Sequence, residues 1–469
     1  MYVKLLLLAI SGFLLIFVVS ADITDTVELL KISLLDVGGL WVKAIETVTS
    51  KLVQAVTSVP DLTSPWTYVI YTPLLLFFYA SYVVLFCPMN RVRKLGDVGY
   101  IPEGAFSVKE TANFVQKRRK VGNVPPVYPN GWFGLLESSC LKRGEANTVS
   151  VLGQNLAVFR DEKGNVYALD AYCPHMGANM AAGGRVIGNC LECPFHAWKF
   201  RGDDGKCVGI PYTDKIPDIA RVKSWSVKET LGWVFIWHHA EGLDPVWNIP
   251  DVDEVDNGSW TYRGRTEHHI NAHIEEIPEN GADVVHLGHV HGPVVTAGND
   301  LRTMWNKRWA FASHHWTAAW EPLPEPDGHI GQLKLTHKLS LFGFMLTILD
   351  LNVVAQQTGP GIVILKFDSF FGKGMYFQTV TPQAPLVQRV VHHIWVNRWM
   401  PTCVAKFLLL SEALQVERDI MIWNNKQYEG RPLFVKSKED TLISKHRRWY
   451  SQFYSENSPR VFQKDGLDF

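Results

Sequence analysis

Cys173-Pro-His175 and Cys193-Pro-Phe-His196 stand 17 residues apart, each placing one cysteine and one histidine on a short segment. A zinc finger usually groups two cysteines on one element and two histidines on another. Here both halves are mixed, an order that suits a two-iron cluster in which two thiolates hold one iron and two imidazoles the other. Pro174 and Pro194 stiffen the chain beside the donors, and Gly177, Gly183 and Gly184 allow tight turns. Zinc stands as the alternative, because Cys190-Leu-Glu-Cys193 offers a C-x2-C pair. Otherwise Cys190 and Cys207 read as ordinary buried thiols.

The flanking sequence is built of short strands. Apolar residues alternate on both sides of Asp161-Glu162-Lys163-Gly164-Asn165, a hairpin signal, and glycines punctuate the chain at 183, 184, 188, 202 and 205. Residues 131–240 therefore read as a small all-β unit. From 241 to 469 the pattern is mixed, with a helical stretch near 271–287, strand-like runs such as GIVILKFDSFF, and a closing helix near 403–427. Upstream, 95–130 reads as a surface linker, with a basic run QKRRK at 116–120. Residues 1–94 read as a membrane anchor. The run 66–87 has 22 residues without a charge, enough to cross ~30 Å of hydrocarbon. Leu5–Val19 is either a signal peptide or a first, short span, and 40–56 reads as an amphipathic helix. Arg91, Arg93 and Lys94 place the following chain in the cytosol by the positive-inside rule.

Composition removes other classes. The 469 residues carry 46 Lys+Arg against 46 Asp+Glu, without the basic surplus that a nucleic-acid binder needs. Seven cysteines are too few and too irregularly spaced for a secreted disulfide scaffold.

A second donor set lies at Asp283-Val-Val-His286-Leu-Gly-His289-Val-His291-Gly-Pro293. Asp283 and His286 share a helix face. His286 and His291, about 140° apart on a regular helix, can hold one ion only if the helix ends between them. Gly288 and Gly292-Pro293 are the residues that would end it, while an unbroken helix would favour His289. The closing helix carries Glu412, Glu417 and Asp419, and periodicity does not decide between Glu417 and Asp419 as an inward-facing carboxylate. The pairs His269/His273, His314-His315 and His392-His393 read as structural histidines.

Cys-x-His-x17-Cys-x2-His within a β-unit resembles the Rieske [2Fe–2S] domain. Asp-x2-His-x4-His after it resembles the catalytic half of the Rieske non-haem iron oxygenases. That resemblance implies a cluster on Cys173, His175, Cys193 and His196. It implies mononuclear Fe(II) on His286, His291 and a later carboxylate, with Asp283 as the electron-transfer bridge to a neighbouring subunit and Asn280 beside the site. The segment Asp419-Ile-Met-Ile-Trp423 resembles the carboxylate-bearing segment of steroid-acting members, which favours Asp419 over Glu417. With its membrane run, the chain is similar to the cholesterol 7-desaturases, the Neverland family. The expectation is an α+β fold: membrane helix or helices, an all-β Rieske domain, and a catalytic domain whose curved antiparallel sheet surrounds a long helix. The activity implied is O2-dependent desaturation of cholesterol at C7–C8 to 7-dehydrocholesterol, in ecdysteroid-type steroid hormone synthesis. A Rieske monooxygenase acting on another hydrophobic substrate and a membrane-tethered Rieske electron carrier are the alternatives. No nicotinamide or flavin fingerprint is found, so NAD(P)H electrons would arrive through a separate reductase or ferredoxin. A homotrimer in the endoplasmic reticulum membrane is expected by resemblance. The run 339–354 reads equally as sterol-cavity lining and as core strand.

Overall fold

The computed structural model describes residues 63, 65–118 and 124–460. The expected segments 5–19 and 40–56 lie outside them, as does the end of the basic run at 119–120. The described residues divide into two units, with the boundary after Val83. Helix α1 (Pro65–Leu85) contains Pro73 and no charged side chain. Among the described residues it is the one helix long and apolar enough to cross a bilayer.

The second unit is organised by a nine-stranded sheet. Its strands are β1 (Met89–Arg93), β2 (Trp260–Ile270), β3 (Ala312–Pro322), β4 (Ile330–Leu341), β5 (Leu351–Thr358), β6 (Ile362–Ser369), β7 (Gly372–Ala384) and β8 (Val387–Asn397). They lie in the order β1-β2-β8-β7-β6-β5-β4-β3, and Phe344–Met345 pairs with β4 as the ninth. All pairings are antiparallel except β1 with β2. Gly264 makes the β1–β2 approach possible, since a Cβ there would sit 2.6 Å from the Met89 carbonyl oxygen. Helix α3 (Thr402–Trp423) packs on this sheet, with Ala405 and Leu409 in one core with Val353, Phe367, Tyr376 and Ile394. The architecture is the expected α+β one.

Three small antiparallel sheets occupy the segment before it. One, of Ala146–Val151, Gln154–Arg160, Val166–Asp170 and Ser224–Trp225, contains the hairpin read at 161–165. There Asp161 Oδ1 accepts the Asn165 amide at 2.8 Å and Gly164 takes φ +102°. Another, of Arg185–Ile187, Cys190–Glu192, Lys199–Arg201 and Cys207–Gly209, carries the second Cys-His segment.

Three local expectations change. The stretch 271–287 is not one helix but two short ones, Glu276–Glu279 and α2 (Val284–His289), because Gly281 and the non-helical backbone of Asp283 break the run. The stretch 95–130 holds a helix at Val108–Arg118, and Val124, Val127 and Tyr128 enter the core, so it is more than a surface linker. In 339–354, Val353 is core but Phe342, Phe344 and Met345 are exposed at a strand connection.

Candidate metal centres

The two Cys-His segments fold alike. Cys173 donates its amide to the Ala178 carbonyl (2.9 Å) and accepts from the Gly177 amide (2.8 Å). Cys193 donates to Trp198 (2.8 Å) and accepts from Ala197 (3.0 Å), the same offsets. Gly177 and Ala197, four residues past each cysteine, both turn through the left-handed region, at φ +75° and +56°. Both cysteines are buried, in a core with Phe159, Met180, Leu191 and Phe200. The two imidazoles lie outward: His175 is exposed and stacks on Trp198 (4.6 Å, 7°), and its ring centroid is 4.7 Å from that of His196. Burial, helped by the neighbouring Cys193 thiol, pushes Cys173 up to about 11. A thiol so placed becomes a thiolate only with a cation to bind it. Two thiols inside and two imidazoles outside, on twin loops, fit a two-iron cluster. No three of these four donors converge within 4.8 Å, as a single zinc ion would require. The Cys190 thiol instead faces Asn189 Oδ1 at 3.5 Å.

Among the described residues, the one set of three donors that does converge within 4.8 Å is His286, His291 and Asp419. Local sequence explains how the first two meet. Asp283 caps α2, accepting the His286 amide on its side chain at 3.3 Å. The helix ends at His289, so His291 stands beyond it and the two rings approach to 5.0 Å at 77°. Gly292 is needed for this turn, because a Cβ there would sit 2.3 Å from the Gly288 carbonyl oxygen. His286 Nδ1 bonds the Asp283 carbonyl, which leaves Nε2 for a ligand. His291 Nδ1 bonds Gln415 Oε1 at 2.8 Å, while its Nε2 lies 3.2 Å from Asp419 Oδ2. Burial favours the neutral, metal-binding form of His286. Two imidazoles and a carboxylate around one point fit Fe(II) with coordination positions to spare.

Asp283 is 33% exposed and lines an open surface groove of about 380 Å³ with His286, His289, Glu439 and Asp440. Asn280 caps the helix Glu276–Glu279 through its backbone. His289 packs on Trp305 (5.0 Å) and takes no part in the triad. Glu417 faces away: fully buried, it bonds Arg91 (2.7 Å), Asn299 (2.6 Å) and His268 (3.4 Å). His269, His273, His315 and His393 bond Glu267, Pro126, Ser340 and Glu137 respectively.

Two supporting residues were not foreseen. Gln415 orients His291, and buried Arg418 donates to the carbonyls of Val290, Pro293, Val294 and Gly298, which ties the loop after His291 to α3. An arginine within an apolar helix was the available signal. Replacing Gln415 with alanine should lower iron retention and turnover by about 10–100-fold, the usual cost of losing a group that orients a metal-bound histidine. Iron analysis and rates on the purified variant check this.

Higher on α3, Glu412 Oε1 lies 3.1 Å from His392 Nε2. Burial, with the charges of Asp419 and Glu417 adding to it, pushes Glu412 up to about 8 from 4.5. Between those pH values the folded chain holds a proton that the unfolded chain has released, so stability falls as pH rises through this window. Glu412→Gln removes that slope: its melting temperature should gain on the wild type from about pH 5 to about pH 8.

Comparisons with known proteins give the family of both halves of the chain. Residues 131–225 match the profile of the Rieske [2Fe-2S] domain, and 236–454 that of the 3-ketosteroid 9alpha-hydroxylase C-terminal domain. The chain is 49% identical over 408 residues to a cholesterol 7-desaturase of Xenopus laevis, covering 87% of this chain and 89% of that one. It is 44% identical to the cholesterol 7-desaturase of Caenorhabditis elegans, covering 81% and 90%. A probable 3-ketosteroid-9-alpha-monooxygenase oxygenase component of Rhodococcus rhodochrous is 31% identical, covering 71% and 82%. The solved structure of a Pseudomonas putida NdmA mutant with caffeine shares the fold at 16% identity, with TM-score 0.52 over 72% of this chain and 97% of that one. By its identity to these desaturases over most of their length, the chain belongs to the cholesterol 7-desaturase family of Rieske oxygenases.

Proposed function

We propose that the chain removes two hydrogens from C7–C8 of cholesterol to give 7-dehydrocholesterol, a step in ecdysteroid-type steroid hormone synthesis. The observation that carries the substrate is the 49% identity to a cholesterol 7-desaturase across 89% of its length. In this reading Cys173, His175, Cys193 and His196 hold a [2Fe–2S] cluster, and His286, His291 and Asp419 hold mononuclear Fe(II). When bound, these groups supply electron storage and O2 activation, with electrons from NAD(P)H through a separate reductase or ferredoxin. The protein's part is placement. Asp283 joins the surface groove to His286 through one backbone and one side-chain contact, a route for an electron from the cluster of a neighbouring copy in a homotrimer. Gln415 and Arg418 hold His291 and its loop against α3.

The organisation that suits this reading is an anchor at 1–94, a connecting segment at 95–130, a Rieske domain at 131–240 and a catalytic domain at 241–469. Helix α1 associates the chain with a membrane, and Arg91, Arg93 and Lys94 beyond it favour a cytosolic catalytic part; the endoplasmic reticulum is the membrane that the family resemblance implies. Purified protein given a reductase, NAD(P)H, O2 and cholesterol should yield a sterol lighter by two hydrogens. A sterol heavier by one oxygen would make the reaction a hydroxylation.

A further inference from the structure

The two ends of the large sheet differ in chemistry. At one end the strand connections read Leu323-Pro-Glu-Pro-Asp-Gly-His329, Gly359-Pro-Gly361 and Pro385-Leu386. At the other they carry Phe342-Gly-Phe-Met345, Phe370-Phe371 and Trp399. Register places these apolar tips together: Leu341 pairs with Ala312, Ser369 with both Leu351 and Gly372, and Asn397 with Trp260. The tips are bare, with Phe342 72%, Phe344 76% and Trp399 90% exposed. Single exposed apolar residues are ordinary, but a row of them along one edge marks an interaction surface. Phe342 also sits at φ +49°, a conformation unfavourable for a bulky residue, and gains no burial from it.

Chain connectivity says what faces this edge. β1 runs parallel to β2, which begins at Trp260, so the chain enters β1 from the same end. Only Phe86, Cys87 and Pro88 separate Leu85, the last residue of α1, from Met89. Four extended steps reach about 14 Å, so a bilayer that α1 enters lies close to the apolar end.

We propose that this end of the sheet is a membrane-docking face, with Phe342, Phe344, Phe370 and Trp399 seated in the interfacial zone of a lipid bilayer. The proposal rests on the reading of α1 as a membrane helix. Tryptophan and phenylalanine are the side chains that settle at that depth, with an apolar ring in the acyl boundary. The face would keep the sheet and the start of α3 at the surface in which a sterol is dissolved.

The test uses the full chain in phosphatidylcholine nanodiscs, with a photo-crosslinking benzophenone amino acid in place of Phe344, Phe370 or, as the control, Ile219, which is 87% exposed in the Rieske region. The proposal expects lipid adducts at 344 and 370 at least several-fold above those at 219. Equal labelling at all three positions overturns it. So do adducts to a second copy or to another protein, which would make the edge a protein interface. The readout does not involve turnover, so it is independent of the desaturase reading. A second variant, Phe344→Ser with Phe370→Ser, should raise KM for vesicle-borne cholesterol about tenfold while leaving kcat unchanged; a fall in kcat with KM unchanged would also overturn the proposal.

Discussion

Asp419→Ala loses the mononuclear iron, keeps the cluster, and forms product at less than about one hundredth of the wild-type rate. Loss of an outer group such as Gln415 is expected to cost about 10–100-fold, and among the described residues Asp419 is one of the three donors that converge on the site. Glu417→Ala behaves differently. Its carboxylate is fully buried; burial alone would raise its pKa, but the bond to His268 and the Arg91 charge outweigh that and hold it well below the usual range. Breaking a buried pair of this kind costs about 3–5 kcal/mol of stability. That variant should melt earlier yet retain iron when folded. Iron analysis beside thermal melts separates the two carboxylates, and an iron-free, stable Glu417 variant would reverse the assignment.

Cys193→Ser loses the visible absorption and electron paramagnetic resonance signal of the cluster, and turnover falls to background. Serine is a hard oxygen donor where the cluster needs a soft thiolate. Cys190→Ser, whose native thiol faces Asn189, keeps both signal and activity. A zinc site built on Cys190 and Cys193 would predict the opposite for Cys190 and no visible absorption in either protein.

The donors that sequence exposed most readily are those whose partners lie within a few residues. Cys173/His175, Cys193/His196 and His286/His291 each depend on one turn, and proline and glycine mark those turns. The carboxylate was harder, because α3 is enclosed on several sides. Glu417 and Asp419 are both buried, one facing β1 and the other His291, so an apolar stripe could not separate them. Gln415 and Arg418 were out of reach for a related reason. Their partners are backbone carbonyls and an imidazole more than a hundred residues away, and no local pattern records those. In 339–354 the apolar run mixed two roles, a core position at Val353 and exposed tips at Phe342 and Phe344, which composition alone does not distinguish. The single helix expected at 271–287 failed because Asp283 spends its side chain on capping a new helix rather than continuing the old one.

The most direct measurement is sterol analysis by mass spectrometry and ultraviolet absorption in cells that lack the activity, fed cholesterol and expressing the intact chain or His286→Ala. The account predicts the conjugated diene of 7-dehydrocholesterol with the intact chain and none with His286→Ala. A hydroxysterol in its place, or the diene formed equally by both proteins, would contradict it.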